Sequence, residues 1–283
     1  RFFRSARDEV ASLRLRSLSR LSGRFDRILA QLQRAETTYE ERQALAEFNK
    51  RFDGLMKAKN YEAALDLISE TLHSVTDRKA VAALEARHFY VKCVVETIKD
   101  IRADLMQIRG KEVAYRKYDG TKISGKVLAV SADSVIFETH EGNLTKRIEV
   151  KLDELDVSDL LWLRCGIDGA VFHRYGIYLA EIGHPELALK FLRQARTMGR
   201  KVDRGLMKKV IEGEKAYWET KAAEMCRRME KLLASGKERE ASKEFNACRE
   251  NKRIAATATW RAEAPALRTR IRDALVAATL KDG

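Results

Sequence analysis

Seven residues constrain this chain more than any other stretch: Phe172, Gly176, Leu179, Gly183, Ala188, Leu192 and Ala195. Their steps of three and four lay one helical face before Gly183 and another after it. Gly183–His184–Pro185 supplies the break, because glycine ends a helix and proline is tolerated in the first turn of the next. Glycine and alanine fall where the two helices have to touch. The spacing predicts a tight antiparallel helical hairpin in which Gly176 and Ala188 face each other.

Two other segments carry weaker copies. In the first, Phe48, Phe52 and Leu55 precede a break at Lys59–Asn60, and Tyr61 opens a second helix through Ala64, Leu65, Ile68 and Leu72. Phe52 is bulky for a helix-contact position there, and Thr71 stands where the best copy has an alanine. In the last, a long helix over about 203–234 leads to a turn at Ser235–Gly236, followed by Ala241, Phe245 and Cys248.

The run FHRYGIYLAEIGHPELALKFLRQA resembles a tetratricopeptide (TPR) unit. That resemblance implies an array of helical hairpins that binds other molecules by shape, and says nothing of the partner. Leu160, Leu163, Ile167, Ala170 and Val171 lead into the unit as one helix, with Gly166 and Gly169 permitting close approach. Pro265 is expected to separate the third copy from a final helix that caps the array.

Between residues 111 and 152 the period changes from helical to two. The stretch predicts four strands, about 111–118, 121–131, 134–140 and 144–152, with turns at Asp119–Gly120 and Glu141–Gly142–Asn143. Short strands of this kind bury a shared core by curling into a small barrel. GKEVAYRKYDGTKISGKVLAVSADSVIFE, with Gly125 on a bent second strand and a tight turn at Ser131–Asp133, resembles the small Sm-like and SH3-like barrels. The exit EVKLDELDVSDLLWL is similar to the SH3-like homology domain of yeast endocytic adaptors, which implies a site for short Asn-Pro-Phe peptides. The expected fold is mainly α: a TPR-like hairpin array with an inserted four-stranded Sm/SH3-like β-barrel. Its divisions are a helical region over 1–108, the barrel over 109–157 and a second helical region over 158–283.

Charge bears on the partner. The chain carries a net +13, with 34% charged residues but 2 Pro and 15 Gly, as suits a folded helical protein whose charge either meets an acidic partner (nucleic acid, anionic membrane or acidic peptide) or serves solubility alone. The barrel segment 109–156 holds nine basic and nine acidic residues and is neutral. RNA-binding Sm-like barrels concentrate positive charge, since neutralising phosphates supplies most of the affinity. They also use an aspartate–asparagine pairing, of which Asp133 alone is present. The excess lies on the helices. Residues 1–34 contain nine Arg, no Lys and three acids on an amphipathic helix or pair of helices broken near Ser22–Gly23. A second cluster comprises Arg193, Arg196, Arg200, Lys201, Arg204, Lys208 and Lys209, either a solvated face that complements a helix end or an anion-binding patch.

Aligning the three copies brings Lys50, Arg174 and Arg227 to one template position, candidates for a groove that clamps a peptide carboxylate. Some TPR proteins use Lys, Arg and Asn there, although the companions His173, Ile177, Asp53 and Glu230 lack that pattern. The chain has no Gly-rich phosphate loop, no HExxH and no paired-cysteine motif, so no cofactor is expected. Cys93, Cys165, Cys226 and Cys248 read as small buried thiols. Cys165 and His173, eight apart, would share a helical face, but nothing nearby completes a catalytic set.

The expectation is a non-enzymatic protein-interaction scaffold, a regulatory or anchoring part of a larger protein, that takes a protein or peptide partner. The alternative is a nucleic-acid-binding protein that uses the basic helical clusters. RFFRSAR lacks the apolar run of a signal peptide. A start at Arg1, basic and aromatic, suits a fragment whose first helix lies near a membrane, and a cytoplasmic or membrane-adjacent place.

Overall fold

Helical spacing up to about residue 108, alternation to about 152 and helical spacing thereafter are realised in that order. The computed structural model describes residues 6–10, 22–141, 144–166 and 168–282. Most of the basic N-terminal segment and the turn residues Gly142–Asn143 lie outside the described residues, and Ser22–Gly23, near which a break was expected, open the first long helix. Three helices come first: α1 (Ser22–Lys57), α2 (Tyr61–Leu72) and α3 (Arg78–Gln107). Four strands follow: β1 (Glu112–Arg116), β2 (Lys122–Val130), β3 (Ser134–Glu141) and β4 (Leu144–Lys151). The rest is helical: α4 (Ser158–Cys165), α5 (Gly169–Glu181), α6 (Pro185–Thr197), α7 (Arg204–Ala234), α8 (Glu238–Glu250), the short α9 (Lys252–Ala255) and α10 (Ala258–Asp282). Among the described residues no helix is long and apolar enough to cross a membrane. The chain divides within α3 into two compact units, Arg1–Glu96 and Thr97–Gly283.

In the first unit the rings of Phe48 and Phe52 stack with centroids 5.5 Å apart, and Ala64 and Ile68 of α2 are fully buried. The Arg87 guanidinium lies over both rings, at 5.7 and 5.3 Å, and donates to Asn49 Oδ1 at 2.6 Å. Its planar group can stack on aromatic faces while its N–H edge hydrogen-bonds.

The three hairpin turns share one cap. After α5, His184 N donates to Leu179 O at 2.9 Å and Gly183 N to Ala180 O at 3.3 Å. After α7, Lys237 N donates to Leu232 O at 2.9 Å and Gly236 N to Leu233 O at 3.2 Å. After α1, Asn60 N donates to Leu55 O at 2.9 Å and Lys59 N to Met56 O at 3.0 Å. This is the Schellman pattern, which satisfies the last carbonyls of a helix and needs a left-handed residue. Gly183 (φ 88°) and Gly236 (φ 68°) fill that position freely, whereas Lys59 adopts φ 57° with a side chain attached. In each case the next helix begins two residues on, and the fifth residue past the cap is a fully buried alanine: Ala64, Ala188 or Ala241.

In the central hairpin Gly176 and Ala188 are both buried, and a Cβ on Gly176 would come within 2.7 Å of Leu192 Cγ and Cδ2. The glycine therefore opens a slot for the leucine one turn beyond Ala188. The helix leading into α5 is also interrupted. Gly166 takes φ 52°, and Asp168 Oδ1 accepts Ala170 N at 2.7 Å to start α5 afresh. Gly169 does sit at a close approach, with Met198 Cβ 3.0 Å from where its own Cβ would be.

The strands form an antiparallel meander in the order β1-β2-β3-β4, and among the described residues no ladder joins β4 to β1. Val127 pairs with Phe137, Val135 with Val150 and Phe137 with Ile148, which puts one apolar face together. Gly125 is required where the second strand crosses the third, since a Cβ there would lie 2.2 Å from Glu138 O. An irregularity between Val127 and Ala129 adds to the bend. After β4 the chain returns to the end of β1: Lys117 bridges Leu155, Tyr118 N donates to Glu154 O at 2.9 Å, and Asp156 N to Arg116 O at 2.8 Å.

The last helices share an apolar cluster that includes Ala222, Met229, Phe245, Cys248, Trp260, Leu267 and Ile271. Glu219 on α7 caps α10, accepting Ala258 N at 2.8 Å and Thr259 N at 3.1 Å. Pro265 does not separate helices but lies inside α10. Trp260 on one side and Leu267 on the other are held in the cluster, while Pro265 and Arg261 are exposed. The carbonyl that proline leaves without its N–H partner, that of Arg261, can turn to water.

Candidate functional site

The three groove candidates occupy equivalent places, nine residues before the caps at Lys59, Gly183 and Gly236, but in different settings. Lys50 is exposed on α1 of the first unit and Arg227 exposed on α7 of the second. Arg174 on α5 is engaged: its Nη2 pairs with Asp100 Oδ2 on α3, which also accepts Tyr175 OH at 3.0 Å. Arg164 on α4 completes the set, with Nη2 3.3 Å from Asp100 Oδ1 and Nη1 donating to Asp104 Oδ1 at 2.5 Å. Two carboxylates one turn apart thus tie the end of α3 to α4 and α5. With its side chain 24% exposed and committed to Asp100, Arg174 serves this brace and does not present its charge to a ligand. Sequence reasoning missed Asp100, Asp104 and Arg164, since a pair some 60 residues apart leaves no local pattern.

Cys165 and His173 fall on different helices because of the break at Gly166, so helical spacing no longer relates them. Burial pushes the Cys165 thiol up to about 12. Burial, helped by the charge of Arg200, holds the His173 imidazole below its usual range. A protonated thiol is a poor nucleophile and this environment does not activate it. Among the described residues no three His, Cys, Asp or Glu side chains converge as metal ligands.

The basic cluster is the one candidate set that tertiary structure leaves open. Arg193 and Arg196 lie in the last turns of α6, Arg200 and Lys201 in the link, and Arg204, Lys208 and Lys209 in the first turns of α7; all seven are exposed. The link is fixed at both ends. Arg200 N donates to Ala195 O at 3.0 Å, with Gly199 at φ 78°, and Asp203 Oδ1 accepts Leu206 N at 2.8 Å. Of these seven only Lys208 makes an ion pair with a described residue, 3.9 Å from Glu212 with both side chains well exposed. Charge at Arg193 and Arg196 complements the C-terminal dipole of α6. Arg204 sits at the N-terminus of α7, where the dipole disfavours a cation, so helix stability does not explain it.

Beside this corner a cleft of about 360 Å³ is lined in part by Glu186, Lys190, Arg193, Gln194, Glu214 and Arg253. Arg253 pairs with Glu186, lies 3.9 Å from Glu214 and sits 5.4 Å over the Trp218 ring. Its carboxylates are thereby occupied, which leaves Arg193 on the rim as part of the cationic corner. A residue such as Arg253, on a four-residue helix of irregular register, gives no periodic signal for this placement.

No protein family, no curated protein and no solved structure matches the chain.

Proposed function

We propose that this chain is a non-catalytic scaffold whose helical hairpins form a TPR-like array and present the corner from Arg193 to Lys209 to an acidic segment of a partner protein. The sheet, in this reading, is a small Sm/SH3-like barrel inserted between the first and second hairpins. Support for the array comes from the shared cap and the buried alanine at one offset in all three hairpins. The barrel reading rests on the Gly125 crossing and on the return of the chain from β4 to the end of β1. The scaffold would form the regulatory or anchoring part of a larger protein.

The observation that carries the partner class is a set of exposed cations on one rigid turn, with a single, solvent-screened carboxylate paired to them. Uncompensated charge of one sign steers an oppositely charged partner and fixes its register. An acidic polypeptide fits better than single-stranded nucleic acid, because residues 193–209 contain no aromatic side chain on which a base could stack. The test is fluorescence anisotropy at matched salt with poly-glutamate, single-stranded RNA and duplex DNA, using the wild type and an Arg196→Glu/Arg200→Glu variant. Saturable binding of poly-glutamate, lost in the variant, is expected. Tighter binding of either nucleic acid, with a steep loss as salt rises, would replace this reading by nucleic-acid binding.

A further inference from the structure

The outer edge of β4 raises a separate question of partner. This strand of eight residues, LTKRIEVK, ends the sheet, and its outer edge pairs with no other strand among the described residues. Every residue of it except Val150 is exposed, including two large apolar side chains, Leu144 at 66% and Ile148 at 37%. An exposed edge is a template for another strand, and proteins usually blunt it with charge. Lys146, Arg147, Glu149 and Lys151 supply such charge here, but their arrangement is selective.

From it we infer that β4 pairs antiparallel with β4 of a second copy of this chain, on a two-fold axis through Ile148. Closed two-fold pairing brings the same edge of both copies together, and directly opposite residues share a face. Only a few same-face registers are therefore available. Centring on Lys146 puts that lysine against itself, and centring on Arg147 does the same to the arginine. Centring on Glu149 opposes it to itself and sets Arg147 against Lys151. Centring nearer either end overlaps three residues of β4 or fewer.

Centring on Ile148 overlaps β4 from Thr145 to Lys151 and puts no like charges opposite each other. Each Arg147 faces Glu149 of the other copy, Thr145 faces Lys151, Lys146 faces Val150, and the two Ile148 side chains meet. Within its own sheet Arg147 already lies opposite Glu138, so the second copy would place the guanidinium between two carboxylates. Glu149 is oriented beforehand, since its Oε1 accepts Ser134 Oγ at 2.6 Å. The charges that blunt the edge against indiscriminate pairing thus leave one register open. The contact is small, as suits a weak and reversible dimer.

Sedimentation equilibrium on the intact chain decides this. The wild type is expected to dimerise. Arg147→Glu and Glu149→Arg, each of which sets like charges opposite across the axis, are expected to weaken dimerisation by roughly tenfold or more. An equimolar mixture of the two variants restores opposite charges in both pairs and is expected to recover the dimer. Both substitutions are at exposed strand positions, and circular dichroism verifies that the variants stay folded. A wild type that stays monomeric, single variants that dimerise as well as it does, or a mixture that fails to recover would each overturn the assignment.

Discussion

Lys59 shows at the scale of one residue how the hairpin turns are built. Its cap needs the same left-handed backbone that Gly183 and Gly236 provide in the other two hairpins, yet it carries a side chain. That conformation costs an L-residue about 1–2 kcal/mol, partly offset by the extra freedom glycine has when unfolded. Lys59→Gly is therefore expected to stabilise the chain by up to about 1 kcal/mol, whereas Gly183→Ala should destabilise it by a similar amount. Urea titration of both variants checks the pair. Equal responses in the same direction would mean that the two caps are not equivalent. The break at Lys59–Asn60 was legible in the sequence, but the strained backbone was not. Lysine is an unusual residue for a left-handed cap, and only neighbouring hydrogen bonds identify it.

At the scale of an element, α10 shows tertiary packing overriding a local rule. Proline in a helix interior costs about 3 kcal/mol relative to alanine, and so it was expected to mark a boundary. The helix continues because Trp260 and Leu267 on either side of Pro265 are both buried in the terminal cluster. Pro265→Ala should raise the unfolding free energy by up to about 3 kcal/mol, read as an increase in the thermal midpoint. No gain would mean that the helix already bends at this point without strain. The strands were the more legible elements, because period-two alternation and Asp119–Gly120 are local signals. Closure was not. The sheet stays open by its ladders, and the link from the β4 exit to the end of β1 depends on where the chain turns after Lys151. Spacing alone makes the helix leading into α5 continuous, because Gly166 is tolerated in a helix at modest cost, and the competing Asp168 cap decides the break.

Across the second unit as a whole, sheet and helices meet where the ring of Tyr118 stacks on His184, with centroids 3.5 Å apart. Burial holds the His184 imidazole below its ordinary 6.5, against the opposing pull of Asp156 and the Asp153 backbone. His173 is shifted in the same direction, also mainly by burial. Between the lowered folded value and 6.5 the unfolded chain binds more protons. The stability is therefore fully present above about pH 6.5 and is lost progressively as pH falls below it. Urea midpoints should drop between pH 7.5 and 5.5. His184→Phe keeps an aromatic ring on Tyr118 and should flatten part of that slope, leaving the share of His173. An unchanged slope would show that His184 stays neutral or becomes protonated without loss of the contact.

The sequence by itself determined the kinds of element, their order, the hairpin turns and the neutral sheet segment, because helical and strand periodicities and turn chemistry act over a few residues. It also marked the cationic cluster, which is contiguous along the chain from Arg193 to Lys209. Only the tertiary structure decided which charges remain open. Arg174 looked equivalent to Arg227, yet Asp100, 74 positions away, takes it into a brace. The same holds for Gly176, where Leu192 fills the space a Cβ would take, since helix-to-helix offset depends on the crossing of two packed surfaces. A charge or a small side chain announces what it could do, and the neighbour that folding brings decides what it does.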